Sequence, residues 1–228
     1  MRKIKTWKDP YGEGFSVCKK RNITLEPGLT VLIGCNGAGK TTLLHNIMEE
    51  LKQENIPVMM YDNLKEGGSE TLSEACFNNE IAFVATAACS SEGENILMNL
   101  RRLVAKLKLF IDTGEFIKNK NFHKLFKDAK KEDEKENNSK ERWILLDAID
   151  SGYSIDNIID LKRLFNAIFE STKDKEIYII ISANEYELVR GEKCFDVWQG
   201  KYISIKSYDA YRKAILKSRK QKDKRFVE

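Results

Sequence analysis

The residues from 34 to 42 are those whose types and spacing point most directly to chemistry. They follow the pattern G-x-x-x-x-G-K-[ST], which binds nucleotide phosphates. Glycine lets the backbone turn tightly and approach a ligand, so that the N–H groups of the loop can cradle phosphate oxygens. Lys40 supplies a charge for the β- and γ-phosphates, and the Thr41 hydroxyl is placed to ligate Mg²⁺. The predicted nucleotide-binding residues of this loop are Gly34, Cys35, Asn36, Gly37, Ala38, Gly39, Lys40, Thr41 and Thr42.

The segments on either side of this loop are the elements that must position it. Residues 29–33 form a short apolar run rich in β-branched side chains, which predicts a buried strand. Residues 42–51 carry apolar side chains at helical spacing. The order strand, glycine loop, helix places the phosphates at a helix N-terminus, where the helix dipole favours anions.

Two further stretches carry candidate site residues. Asp147 follows four apolar residues, and the end of a parallel strand faces the ligand crevice, so we expect Asp147 to hold Mg²⁺ together with Thr41. Ser91 and Gly93 lie just before a strongly periodic helix predicted over 94–111. A serine and a glycine there fit either a second anion site or an ordinary helix N-cap, and the residues alone do not separate the two.

The remaining pattern predicts an α/β fold of the P-loop NTPase type, a mainly parallel sheet covered by helices. Apolar runs at 57–61, 143–147 and 176–182 alternate with helical segments such as 155–169, which is typical of such a sheet. Shorter strands are predicted at 3–7, 15–18 and 23–25, as a small N-terminal β element, and a hairpin near Gly200. We expect a single ATP-binding domain over 1–228, with a charged insertion at about 113–142 and a basic C-terminal helix at about 208–228.

Composition limits the class of protein. No apolar run approaches the roughly 20 residues of a membrane span, and residues 1–7 lack the apolar stretch of a secretory signal. The five cysteines include no C-x-x-C pair, which suits a reducing cytoplasm better than a disulfide scaffold or a zinc site. Between positions 212 and 225 there are eight basic residues and one acid, a pattern of either a nucleic-acid contact or a solvated helix face.

Taken together, the stretches 34–42, 91–94 and 145–156 resemble the ABC-type ATPases, which include transporter subunits, the iron–sulfur assembly ATPase and the SMC and RecF heads. Asn36 matches the form of the phosphate loop that this superfamily favours. Ser91 and Gly93 match positions of its signature motif, usually L-S-G-G-Q. The stretch from Asp150 to Asp156 is similar to the D-loop of the iron–sulfur assembly and SMC-like members.

The resemblance implies how such a chain would work. In this superfamily two heads bind face to face, and the signature serine of one head contacts the γ-phosphate held by the other. It therefore implies an ATP-closed homodimer, with Ser91 and Gly93 completing the partner's site and with ATP and Mg²⁺ as cofactors.

Three positions depart from that superfamily. Ala148 stands where a catalytic glutamate usually follows the Mg²⁺-binding aspartate, so either hydrolysis is very slow, or Asp150 substitutes, or the position was changed to trap the ATP state. Asn184 lies where a histidine often senses the γ-phosphate, and no clear Q-loop glutamine lies between Lys40 and Ser91. Lys40, Asp147 and Asp150 are accordingly the candidate catalytic residues.

The sequence leaves three functions open. The first is an ATPase head of the SMC type acting on DNA, favoured by the basic C-terminal segment. The second is a nucleotide-dependent switch deficient in hydrolysis that recruits a protein partner, favoured by Ala148. The third is a transporter or iron–sulfur assembly subunit, disfavoured because only 50 positions separate Lys40 from Ser90, too few for a transporter-type helical subdomain. Tyr11 or Phe15 could stack on the adenine.

Overall fold

The computed structural model describes residues 1–12, 14–63, 75–76, 80–90, 92–115 and 139–224. Most of these residues belong to a six-stranded sheet and its covering helices. The strands are β1 (Arg2–Lys5), β2 (Asn22–Leu25), β3 (Gly28–Ile33), β4 (Val58–Asp62), β5 (Glu141–Asp147), β6 (Glu176–Ser182), β7 (Lys193–Asp196) and β8 (Lys201–Ile203). The helices are α1 (Lys40–Gln53), α2 (Ile81–Cys89), α3 (Glu92–Thr113), α4 (Ile155–Ser171), α5 (Tyr186–Val189) and α6 (Tyr208–Asp223).

The central sheet has the order β4-β5-β6-β3-β7-β8. The first five strands are parallel, and β8 pairs antiparallel with β7. Strand β3 is therefore hydrogen-bonded on both sides, while β6 lies between it and β5. This arrangement brings the carboxyl ends of β3, β6 and β5 to one edge of the sheet, which is where open α/β sheets bind ligands. The predicted mainly parallel α/β fold is confirmed.

Alternate residues of the central strands fill two hydrophobic cores, one on each face. On β3, Val31 belongs to the core shared with α3, α4 and α6, whereas Leu32 belongs to the core shared with α1, β1 and β2. Both side chains are fully buried. On the second face Trp143 and Tyr178 are register partners on β5 and β6 and stack with their ring centroids 3.9 Å apart. Covering both faces explains why these strands are apolar throughout.

The N-terminal β element consists of β1 and β2, which pair antiparallel. The strand predicted at 15–18 does not form. The amide of Val17 donates to the Trp7 carbonyl, whereas that of Lys19 donates to the Trp198 carbonyl. This stretch thus bonds to two separate segments instead of extending one ladder. The hairpin predicted near Gly200 is present as β7 and β8.

The helical predictions need two adjustments. Residues 81–89 form α2, a helix that the sequence analysis did not predict, and the helix predicted at 94–111 begins at Glu92 and extends to Thr113. Most of the charged insertion predicted at 113–142 lies outside the described residues, and β5 begins inside its predicted end, at Glu141. Within the described ranges, no helix combines the length and apolar character that a membrane crossing needs.

Candidate nucleotide-binding site

The glycine-rich loop connects β3 to α1 and turns tightly. Within the loop, the Ala38 N–H donates to the Cys35 carbonyl at 3.0 Å. Gly37 and Gly39 have φ angles of +76° and +95°, a left-handed region that residues with a Cβ rarely adopt. A Cβ at Gly34 would come within 2.8 Å of the Ala38 Cβ. The glycines of the motif are therefore required by the backbone path of the loop itself.

Lys40, the first residue of α1, folds its side chain back over this loop. Its Nζ donates to the Gly34 carbonyl at 2.8 Å and to Asn184 Oδ1 at 3.1 Å. The residue is only 9% exposed. Burial lowers the pKa of Lys40, and the charges of Cys35, Asp150 and Asp147 oppose that shift. The Lys40 ammonium, with its three N–H donors, is thus held against the glycine loop. The carboxylates of Asp147 and Asp150 lie near enough to stabilise its charged form.

Asp147 ends β5 at the same edge of the sheet. The Ser182 hydroxyl, at the end of neighbouring β6, donates to Asp147 Oδ1 in a short hydrogen bond, and accepts from the Ala148 N–H at 2.8 Å. Asp147 is buried, whereas Thr41 in the first turn of α1 is exposed. Ser182 therefore fixes one carboxylate oxygen of Asp147, a contact that the sequence analysis missed.

The donor set near the loop suits Mg²⁺. Among the described residues there is no group of three or more histidine, cysteine or acidic side chains that could hold a metal ion alone. Mg²⁺ typically binds through one or two carboxylates, substrate phosphates and water, so a site that offers the Asp147 carboxylate and the Thr41 hydroxyl fits the ion in the presence of a nucleotide.

Asp150, the third predicted catalytic residue, is 4% exposed and lies in the turn after β5. Its Oδ2 accepts from the N–H groups of Asn184 and Glu185, both at 2.6 Å. Its Oδ1 is the one buried side-chain oxygen or nitrogen in the described part of the chain that lacks a hydrogen-bond partner. One half of this carboxylate ties the β5 turn to the β6 turn, and the other half is available for a ligand or water.

Asn184 joins these parts. Its Oδ1 accepts from Lys40, its N–H donates to Asp150, and its carbonyl accepts from the Tyr211 hydroxyl at 2.5 Å. Burial raises the pKa of Tyr211 to about 12, so this phenol remains a donor at ordinary pH. The sequence placed Asn184 at a γ-phosphate-sensing position, and the structure brings it to the phosphate-loop lysine.

A cavity of about 120 Å³ adjoins the glycine loop. Tyr11 and Phe15 line it together with Gly37, Gly39 and Lys222, and the hydroxyls of Tyr11 and Thr42 are 3.1 Å apart. Both candidate adenine-stacking residues therefore lie beside the loop. Tyr11 is 70% exposed, which leaves its ring available for stacking.

A larger, open cavity of about 540 Å³ lies at the opposite edge of the sheet, between the starts of β3 and β6. Its charged lining residues are Lys140, Lys173, Lys175, Asp174 and Glu176. Cations and acids are mixed there, and ligands of parallel sheets bind at the carboxyl ends of the strands. The smaller cavity beside the glycine loop is therefore the better candidate site.

The C-terminal helix α6 also contacts the loop, which the sequence analysis did not foresee. The Cys35 N–H donates to Ser218 Oγ at 3.1 Å, and Lys222 Nζ donates to the Asn36 carbonyl at 3.2 Å. With Tyr211, these residues are spaced by seven and four positions and so lie on one helix face. That spacing was the available signal, although it does not identify what the face packs against.

Two predicted residues stay untested by this geometry. Ser91 lies outside the described residues, and Gly93 falls in the first turn of α3. Their predicted contact with a nucleotide held by a second copy remains a prediction.

Comparison with known proteins identifies the family. A family model described as "AAA domain" matches residues 23–189, more than two thirds of the chain. Two solved structures share 14% and 13% sequence identity with it. One is cbiO1 from Clostridium perfringens, part of the ABC transporter complex cbiONQ, with a TM-score of 0.45 over 89% of this chain and 86% of that one. The other is a DNA replication initiation factor, with a TM-score of 0.32 over 88% of this chain and 46% of that one.

No curated protein matches the sequence. The family match begins in β2 and ends in α5, so it includes the glycine loop, Asp147 and Asn184. On this evidence the chain belongs to the AAA domain family of P-loop NTPases.

Proposed function

We propose that this chain binds Mg·ATP at the loop between β3 and α1 and acts as a nucleotide-dependent switch, with slow hydrolysis. The observation that carries the proposal is the position of the Lys40 ammonium, held between the Gly34 carbonyl and Asn184 Oδ1 at the loop mouth. Burial disfavours the charged form of Lys40 more than Asp147 and Asp150 favour it, and a triphosphate would supply further compensating charge.

Each residue has a role in this proposal. The loop amides and Lys40 bind the β- and γ-phosphates, and Thr41 and Asp147 hold Mg²⁺, which neutralises phosphate charge when bound. Ser182 orients the Asp147 carboxylate through its short hydrogen bond. Asn184 senses the γ-phosphate indirectly, because its side chain accepts a hydrogen bond from Lys40, which binds that phosphate. Tyr11 stacks on the adenine.

The proposed site is less well equipped to hydrolyse ATP than to bind it. Ala148 offers no carboxylate to orient the attacking water at the end of β5. Asp150 is the one candidate substitute. Its Oδ1 is buried and lacks a hydrogen-bond partner among the described residues, and the negative charge of Asp150 acts to raise the pKa of Lys40. Its Oδ2 already binds two backbone N–H groups, which restricts how far the carboxylate can turn.

The experiment that tests nucleotide binding is calorimetric titration with ATP in the presence and absence of Mg²⁺. We expect binding that Mg²⁺ strengthens, and a loss of about tenfold to hundredfold in Lys40→Met, which lacks the charged donor. Lys52→Met is the matched control, because Lys52 lies on the same helix and is exposed. Equal affinity of the two variants would contradict the proposal.

The dimeric form of the switch depends on the stretch from Ser91 to Glu94 and its resemblance to the ABC signature. We propose that ATP closes a homodimer, in which Ser91 of each copy contacts the γ-phosphate held by the other. Light scattering with and without Mg·ATP tests it: the mass should double with ATP, and Ser91→Arg should remain monomeric. An unchanged mass at saturating ATP excludes the dimer.

Action on DNA is a second candidate function, favoured by the exposed basic side chains of α6. Those side chains are Arg212, Lys213, Lys217, Arg219 and Lys220. Such a face would bind phosphate backbones without sequence preference and would be weakened by salt. ATP-dependent retention on duplex DNA at low salt would support it. If DNA is not retained, a protein partner recruited by the ATP state is the remaining candidate.

A further inference from the structure

Helix α6 contacts the nucleotide site at three points along one face. Tyr211 donates to the carbonyl of Asn184, whose side chain holds Lys40. Ser218, one helical turn before Lys222, accepts from the Cys35 N–H and so fixes the start of the glycine loop. Lys222 donates to the Asn36 carbonyl within the loop. The helix is thus packed along the site rather than projecting from the protein.

Lys222 differs from the other basic residues of α6 in its position. Its Nζ donates to the Asn36 carbonyl, and it lines the cavity together with Tyr11 and Thr42. A Cβ on Gly37 would lie 3.0 Å from Nζ, so the glycine gives the ammonium room to approach the loop backbone. Lys222 is half-buried, whereas Lys220 on the opposite face is exposed.

The contact with Asn36 uses little of what this ammonium can do. A lysine has three donors, and a neutral carbonyl at 3.2 Å occupies one of them weakly. Phosphate oxygens form shorter and stronger charge-assisted bonds with ammonium groups. A nucleotide whose phosphates enter the loop and whose base lies near Tyr11 would pass beside this group.

We propose that Lys222 is a second cationic ligand of the nucleotide, contacting its phosphate chain from the cavity that Lys222 lines with Tyr11 and Thr42. This inference rests on the proposed function, since it assigns a new residue to the same site. Binding would draw the ammonium from Asn36 to the phosphates and would tie the C-terminal part of α6 to the bound nucleotide. The helix position would then depend on whether a nucleotide is present.

The test compares Lys222→Gln with Lys220→Gln, two equal changes of charge on opposite faces of one helix. Binding of ATP and of ADP is measured by titration at low and at physiological salt. We expect Lys222→Gln to weaken both by about threefold to tenfold and to reduce their dependence on salt, with Lys220→Gln close to wild type. Equal affinities for the two variants would overturn the inference, and so would tighter binding by Lys222→Gln, which would mark Lys222 as an obstruction at the entrance.

Hydrogen exchange of the unaltered protein provides a second, independent measurement. Amides of residues 216–224 should exchange more slowly with Mg·ATP than without it, because the nucleotide clamps the end of the helix. Unchanged exchange there, together with protection of the glycine loop, contradicts the inference while leaving ATP binding intact. An unaltered protein that binds no nucleotide would instead refute the proposed function.

Discussion

The glycine loop and the end of β5 form two halves of one site, and they are built differently. The loop is held from several directions, by Lys40, by its internal turn and by Ser218 and Lys222 of α6. At the end of β5, Asp147 bonds to Ser182, and Asp150 bonds to backbone amides. Between these two acids, directly after Asp147, stands Ala148, where a carboxylate that activates water would be expected.

This difference separates binding from turnover. The glycine loop has the left-handed glycines and the buried ammonium that a phosphate loop needs. The β5 half has a carboxylate, Asp147, that we propose holds Mg²⁺, but no side chain dedicated to activating water. We therefore expect such a chain to respond to a bound nucleotide without hydrolysing it quickly.

The largest effect is expected when the β5 half is completed. Ala148 is partly exposed, which leaves room for a larger side chain. Its φ angle is +48°, but alanine already carries a Cβ in this conformation, so a longer side chain adds no new backbone strain. Ala148→Glu should raise the rate of phosphate release by about hundredfold or more, the usual contribution of a general base. Ala148→Gln, which has the same size but no basic carboxylate, is the control and should stay slow. If the two variants release phosphate equally, the missing carboxylate is not what limits turnover.

Breaking the backbone contacts of the β5 half should cost stability. Asp150→Ala leaves the N–H groups of Asn184 and Glu185 without their acceptor, so the free energy of unfolding should fall by about 2 kcal/mol. Urea denaturation measures this value. Asp160→Ala removes an exposed ion pair with Arg163 and should change stability by less than about 0.5 kcal/mol. A stable Asp150→Ala protein would show that these amides find other partners.

The loop half should be sensitive to pH through Lys40. Burial lowers the pKa of this lysine, so its charge is lost, as pH rises, before that of an ordinary lysine at 10.5. ATP affinity should therefore fall by up to about tenfold over the pH window between the lowered pKa of Lys40 and 10.5. Stability of the nucleotide-free protein should rise over the same window, because the unfolded chain then holds more protons than the folded one.

The control for this pH dependence is Lys40→Arg, because a guanidinium stays charged throughout the range. Its ATP affinity, although lower at neutral pH, should be flat over the window measured by titration. A parallel decline in both proteins would assign the pH dependence to another group.

The smallest effect concerns the contact between α6 and the loop. Ser218→Ala removes the acceptor of the Cys35 N–H and should lower the free energy of unfolding by about 1 kcal/mol. Ser204→Ala changes an exposed serine outside the helix and should be nearly neutral. Thermal denaturation of the two variants gives the comparison, and equal melting temperatures would mean that the helix does not support the loop.

Much of the sheet and half of the site were predictable from local sequence. β3, β5 and β6 are continuous apolar runs, and the glycine loop is defined by residue types that its backbone requires. The position of Asp147 at the ligand edge follows from a general rule for parallel sheets. These features depend on neighbours in sequence or on rules common to all such folds.

What could not be predicted depends on contacts between distant residues. Ser218 and Lys222 meet the loop across more than 180 positions, and no local pattern specifies such a pairing. The stretch at 15–18 has strand-like composition, but its amides bond to two different segments. Residues 81–89 are so uniformly apolar that they show little periodicity, and only Ala87 of them is buried.

The place of β3 in the sheet has a mechanical consequence. Parallel neighbours pair with this strand on both sides, β6 along Gly28–Leu32 and β7 along Thr30–Ile33. Among the described strands, β4 and β8 stand at the two ends of the sheet. Fraying of the sheet can therefore begin at either rim and leave the strand beneath the glycine loop undisturbed. Its phosphate-binding platform should be among the last parts of the molecule to loosen.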